Sequence, residues 1–178
     1  LYRTNSQSRA FEESLRRKNI PYIIYGGISF YQRKEVKDLI AYLKLIVNPY
    51  DEEALKRVIN YPLRGIGDTS FQKLVLYATG NGLKIWDVIE KIYENKVITG
   101  RTAESIEKFF TMIKAQQVLP DKNAYEIATE IAKQSGLMGE LYADKSTEGL
   151  SKYENLQSLL NSIKEFVEND EVIENVEM

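Results

Sequence analysis

The sequence predicts a mainly α-helical, multi-helix protein led by a short strand–helix–strand segment. Three observations carry this. From residue 28 onward, apolar residues recur at helical spacing in one segment after another. Residues 1–25 instead read as strand, helix and strand. Between two of the helical patterns lies Tyr61-Pro62-Leu63-Arg64-Gly65-Ile66-Gly67-Asp68-Thr69-Ser70, a glycine turn around which the rest of the chain is organised.

In order, Leu1-Tyr2-Arg3 reads as the end of a strand. Asn5 is placed to cap a helix to about Asn19, with Ala10, Phe11, Ser14 and Leu15 on one face, and Pro21 breaks it. Tyr22-Ile23-Ile24-Tyr25 is a short apolar run of β-favouring residues and reads as a buried strand. Such a unit is half of an α/β layer and is not stable alone. Its strand edges are expected to pack on the helices or to pair with another molecule. Gly26-Gly27 ends the α/β pattern.

Val36, Leu39, Ile40, Leu43 and Val47 then mark an amphipathic helix, stopped by Asn48-Pro49. Asp51 is the expected N-cap of a helix carrying Ala54, Leu55, Val58 and Ile59. After the glycine turn, Phe71, Leu74, Val75 and Ala78 predict a helix to about Thr79, and Asn81-Gly82 a turn. Ile85, Trp86, Val88, Ile89 and Ile92 form a short apolar helix. Thr102 is placed to cap a longer one with Ile106, Phe109, Phe110 and Ile113. Pro120-Asp121 separates it from the helix of Ile127, Ala128, Ile131 and Ala132, which Gly136 closes. A last long helix carries Leu150, Tyr153, Leu156, Leu160, Ile163 and Phe166. Glu168, Asp170, Glu171, Glu174 and Glu177 follow as an acidic linker.

Composition excludes whole classes of chemistry. The 178 residues contain no cysteine and no histidine, which removes disulfides, Ser-His and Cys-His catalysis and most zinc sites. No apolar run reaches the length of a membrane span and nothing resembles a signal peptide, so the expected location is the cytoplasm, with no membrane partner. The net charge of −2 hides a split: residues 1–64 hold 12 Lys/Arg against 7 Asp/Glu, and the rest hold 12 against 19. The basic half is where a polyanion is expected, although so small a surplus is equally a solvated face.

The glycine turn is the strongest local candidate for a site. Pro62 stops the preceding helix, Gly65 and Gly67 permit positive φ and close backbone approach, and Ile66 between them plugs the groove between two helices. Asp68, Thr69 and Ser70 are placed to cap the following helix. The result is a tight helical hairpin whose free N–H groups suit a phosphate, with the charge of Arg64 beside it. The competing reading is a plain glycine turn between packed helices.

Leu-Tyr-Arg-Thr-Asn-Ser-Gln-Ser-Arg at 1–9 resembles a signature of superfamily 1 DNA helicases of the UvrD/PcrA/Rep type. Gly26-Gly27 with Phe30, Arg33 and Glu35-Val36-Lys37-Asp38, and then Ala41-Tyr42-Leu43-Lys44-Leu45, resemble further segments of that family, with Lys44 where arginine is usual. Asn60, Pro62 and Arg64-Gly65-Ile66-Gly67 match another, and Ser135-Gly136, Tyr142 and Glu154-Asn155-Leu156 a last one. The matches keep their order along most of the chain.

The resemblance implies that residues 1–27 are a remnant of the RecA-like 2A motor domain. It implies that residues 28–178 are the helical 2B domain with its acidic linker. It further implies a fragment of an ATP-dependent 3′-to-5′ DNA helicase serving DNA unwinding or repair. In that reading Arg3 touches single-stranded DNA and Lys37 faces DNA near the single-/double-strand junction. Arg64, Gly65, Ile66, Gly67, Thr69 and Ser70 hold the duplex backbone through a helix-hairpin-helix-like turn, and Gly26 and Gly27 form a hinge on which 2B swivels. The remaining motor domains of the parent are the protein partner.

The chain has no Gly-x-x-x-x-Gly-Lys-Ser/Thr loop, no paired-acid strand for magnesium and no identifiable arginine finger. ATP and magnesium are thus expected in the parent, and neither catalytic residues nor a metal in this piece. Arg64→Ala is expected to weaken DNA binding while leaving the fold intact. A reading of another class stays open, a helical module for protein contacts in which the hairpin is only a turn.

Overall fold

Fourteen consecutive residues, Lys34–Val47, form the helix (α1) on which most of the others lean. The computed structural model describes residues 11–12, 14–15, 17–22, 29–118 and 122–174, with residues 170–174 described by backbone only. Val36, Leu39, Tyr42 and Leu45 of α1 are fully buried, and Ile40, Leu43 and Ile46 are packed against the same core. Apolar residues on nearly every side of one helix need neighbours on nearly every side. Those neighbours are a 3-10 turn at Phe30–Gln32, α2 (Glu52–Val58), α6 (Arg101–Gln117), α7 (Ala124–Gln134) and α9 (Thr147–Glu174).

The remaining helices form an outer group. α3 (Asp68–Gly80) packs on α4 (Ile85–Glu90), while α4 and α5 (Ile92–Asn95) both pack on α6. α8 (Leu137–Ala143) packs between α7 and α9. The mainly α-helical prediction holds, and no strand occurs among the described residues. The expected strands fall largely on residues 1–3 and 23–25, outside the described residues, and Tyr22 is not in a strand. The expected helix before them is present at residues 11–12, 14–15 and 17. It ends on Asn19 at φ 53°, with Ile20 N–H donating back to Leu15 O at 2.9 Å, a left-handed helix end.

Several local expectations are met. Asp51 caps α2 by accepting from Ala54 N–H at 2.9 Å, and Gly136 ends α7 at φ 84°. Others are corrected. α6 starts one residue before Thr102, from Gly100 as N-cap. α3 is capped by Gly67 without a side-chain bond, so Asp68, Thr69 and Ser70 lie inside its first turn. Val47, Leu150 and Phe166, expected on buried faces, are exposed. α9 continues as helix to Glu174 through the acidic stretch read as a linker. α8 was not anticipated: the sequence reading assigned no element between Gly136 and the last long helix. The legs of the glycine hairpin lean on different neighbours, α2 on α1 and α3 on α4, rather than chiefly on each other.

Buried polar groups tie the helices in register. Arg33 Nη1 donates to Asn155 Oδ1, and Asn155 Nδ2 donates to Glu35 Oε1 at 2.6 Å, joining the start of α1 to α9. Asp38, 2% exposed, accepts from Arg57 Nε at 2.7 Å and lies 3.5 Å from Lys34 Nζ. Burial pushes the Asp38 carboxyl above its ordinary value, against the pull of the Arg57 and Lys34 charges. Glu12, also 2% exposed, accepts from Ser29 Oγ at 2.6 Å and Phe30 N–H at 3.2 Å, which fastens the N-terminal helix to the 3-10 turn. No helix among the described residues is long and apolar enough to cross a membrane.

Candidate nucleic-acid interface

The turn between α2 and α3 is built from inside. Asn60 Oδ1 accepts from both Arg64 N–H and Ile66 N–H, each at 3.0 Å, which curls the backbone over one side chain. Ile66 fills the space beneath at 2% exposure, as its position between two glycines predicts. Gly65 takes φ 76°, a conformation that only glycine adopts without strain. Gly67 does not: its φ of −72° and ψ of 166° suit any residue. A Cβ at either glycine would meet nothing within 4 Å. Neither φ nor crowding requires glycine at 67, where it serves as the N-cap of α3, and the missing side chain leaves the backbone open to approach from outside.

The N–H groups divide into two sets. Those of Arg64 and Ile66 point inward to Asn60, while those of Ser70 and Phe71 donate to Gly67 O at 2.9 Å and 3.1 Å. Among the described residues, the N–H groups of Gly65, Gly67, Asp68 and Thr69 make no hydrogen bond. The last of these lie in the first turn of the 13-residue α3, where the helix dipole adds partial positive charge. Thr69 is exposed and Ser70 half-buried. Two expectations change here. Ile66 contributes its side chain to the core, and its N–H is already used. Asp68 is exposed and places a carboxylate beside the same turn.

Arg64 is placed differently from the sequence reading. Its Nη1 donates to Val58 O at 3.1 Å and to Pro62 O at 3.0 Å. Its Nη2 donates to the Tyr42 hydroxyl at 2.7 Å and to Ser135 O at 2.8 Å. The guanidinium also sits over the rings of Phe109, at 5.4 Å, and Tyr42, at 5.9 Å. The sequence reading expected Arg64→Ala to leave the fold intact, whereas the substitution would remove four hydrogen bonds that tie the turn to its neighbours. Burial pushes the Tyr42 hydroxyl up to about 12, with the Arg64 charge pulling the other way, so this phenol stays protonated at neutral pH. The structural roles of Asn60, Tyr42 and Ser135 were not anticipated, although all three lie in the matched motifs.

Lys37 stands half-exposed on α1, away from these N–H groups in sequence and on another element. It lines a cleft of about 220 Å³ between α1 and α2 with Tyr31, Ile40, Lys44, Glu53 and Arg57. Of the three cations around this cleft, Arg57 is paired with Asp38 and Lys44 lies 3.9 Å from Asp51 Oδ2. Arg3, Gly26 and Gly27 lie outside the described residues.

The family described as UvrD-like helicase C-terminal domain matches residues 1–177. DNA helicase II of Salmonella typhimurium is 37% identical over 172 residues, covering 96% of this chain and 24% of the relative. The ATP-dependent DNA helicase PcrA of Staphylococcus epidermidis is 39% identical over 172 residues, covering 95% and 23%. DNA helicase II of Haemophilus influenzae is 36% identical over 179 residues, covering 100% and 25%. The chain spans about a quarter of the length of these curated relatives. With nearly its whole length matched, the chain belongs to the UvrD-like helicase C-terminal domain family.

Proposed function

We propose that this chain is the 2B portion, with the start of the 2A motor segment, of an ATP-dependent 3′-to-5′ DNA helicase acting in DNA unwinding or repair, and that it holds the backbone of duplex DNA at the single-/double-strand junction. The observation that carries the reading is the outward set of N–H groups at Gly65, Gly67, Asp68 and Thr69, beside a glycine the fold does not require. Backbone amides at a helix start suit a phosphate oxygen, with the Thr69 and Ser70 hydroxyls as further donors. Such contacts fix position on DNA and carry no sequence information. Lys37 and its cleft extend the contact along the backbone, Arg3 meets the single strand, and Gly26-Gly27 is the hinge on which the helical domain turns against the motor.

ATP and magnesium belong to the parent enzyme in this proposal. The described residues do not fit them: no three carboxylates gather to hold a metal, and the sequence has no phosphate loop. No catalytic step is assigned to this piece.

The second reading, a protein-contact module, has its own support. Leu63 and Leu76 are 84% and 72% exposed, and Phe71, Val75 and Leu76 line a cleft of about 500 Å³ with Lys56 and Asp68. A fluorescence-anisotropy titration with a blunt duplex separates the two. Wild type is expected to bind with a Kd of roughly 10⁻⁴–10⁻⁶ M, falling steeply with salt. Gly67→Val, which the backbone there accepts at a cost of no more than about 1 kcal/mol as a poorer cap, is expected to bind at least about tenfold more weakly. Equal binding by both proteins at every salt concentration would favour the protein-contact reading.

A further inference from the structure

The turn alternates. Residues 64 and 66 send their side chains and N–H groups inward, and residues 65 and 67 present backbone outward. Asn60 holds the two inward N–H groups, and one guanidinium ties the turn to the rest of the fold. Through its two Nη atoms Arg64 joins the end of α2 at Val58, the turn itself at Pro62, the middle of α1 at Tyr42 and the α7–α8 corner at Ser135. The fully buried Tyr42 hydroxyl accepts from Arg64 and donates to Tyr61 O, so it grips the turn from two sides. The corner closes from its own side as well, since a Cβ on Gly136 would come within 3.8 Å of Pro62 Cγ.

We infer that Arg64 and Tyr42 are positioning residues for duplex binding: they touch no DNA themselves but aim the Gly65 and Gly67 N–H groups at the phosphate. The inference rests on the duplex-backbone reading. A guanidinium suits the task because its donors leave a rigid plane in fixed directions, so four acceptors on separate segments are held at once. The ammonium of a lysine has three donors on a flexible stem and cannot hold the same four. Tyr42→Phe keeps the buried ring and removes only the hydroxyl, which frees one side of the turn.

The test is anisotropy on blunt duplex across several salt concentrations, with thermal unfolding alongside, for wild type, Tyr42→Phe, Arg64→Lys and Gly67→Val. Tyr42→Phe and Arg64→Lys are expected to bind roughly three- to tenfold more weakly, the loss of one misdirected phosphate contact. Their salt slopes should stay close to that of wild type, since neither change removes a charge from the interface. A purely structural role would lower Tm without weakening duplex binding at temperatures where the variant is still folded. If both variants bind as wild type does while Gly67→Val loses affinity, the positioning role is overturned and the duplex reading stands. If all four proteins bind alike, both fall. Should Tyr42→Phe be unfolded at the assay temperature, Arg64→Lys decides in the same way.

Discussion

Arg64→Ala is expected to lower the stability of the fold by about 3 kcal/mol. The side chain is half-buried and donates to four acceptors, Val58 O, Pro62 O, Ser135 O and the Tyr42 hydroxyl. A hydrogen bond to a charged donor contributes about 1.5–3 kcal/mol, and water entering the vacated space recovers part of the loss. Two of the acceptors lie against the core, where water reaches least. For a chain of this size the deficit corresponds to a fall in Tm of about 6–12 °C. Differential scanning calorimetry of the two proteins measures it. A change in Tm below about 2 °C would mean that the guanidinium holds nothing in place.

The second large effect is expected at Arg57. Its Nε is 2.7 Å from Asp38 Oδ1, and the Asp38 side chain is only 2% exposed. Truncating one partner of such a pair leaves a buried charge without compensation, at a cost of about 3 kcal/mol. Lys34, at 3.5 Å from Asp38 Oδ2 but largely exposed, offsets only a part. The pH dependence gives the signature. Burial already raises the Asp38 carboxyl, and loss of Arg57 raises it further. A raised acid in the folded state binds its proton more tightly than in the unfolded chain, so its stability penalty grows as pH rises and fades as pH falls. The gap between wild type and Arg57→Ala should therefore be larger at pH 7 than at pH 4. Adding Asp38→Asn should recover part of the loss at pH 7, as urea denaturation of the full double-mutant cycle would read. A gap independent of pH, with no recovery in the double variant, would show that Arg57 acts by packing alone.

Much of this architecture was legible in the sequence, and the failures have a common cause. Helical spacing located α1, α2, α3, α6 and α7, because each hides a stripe of apolar residues. Asp51 and Gly136 were readable as caps since their chemistry is local. α8 was missed because its seven residues bury only Leu137 and Leu141, too few to show a period. Val47, Leu150 and Phe166 fit the helical period and yet are exposed, because period alone does not say which residues of a helix a neighbour covers.

The same limit governed the candidate site. Gly65, Ile66 and Gly67 announced a turn, and Ile66 announced its own burial. Nothing local could tell that Arg64 turns inward, because its partner Tyr42 lies 22 residues away and Ser135 lies 71 residues away. A charge next to two glycines reads as a charge for a ligand, whereas here the fold uses it to build the turn. Equally, only coordinates separate Gly65, which needs its positive φ, from Gly67, which does not.

The most direct measurement is an amide ¹H–¹⁵N titration of the chain with blunt duplex DNA. The N–H signals of Gly65, Gly67, Asp68 and Thr69 are expected to shift most, those of Arg64 and Ile66, held by Asn60, to shift less, and higher salt to reverse the shifts. Shifts that leave these four amides untouched, with changes confined to the cleft of Phe71, Val75 and Leu76 or to none of the chain, would contradict it.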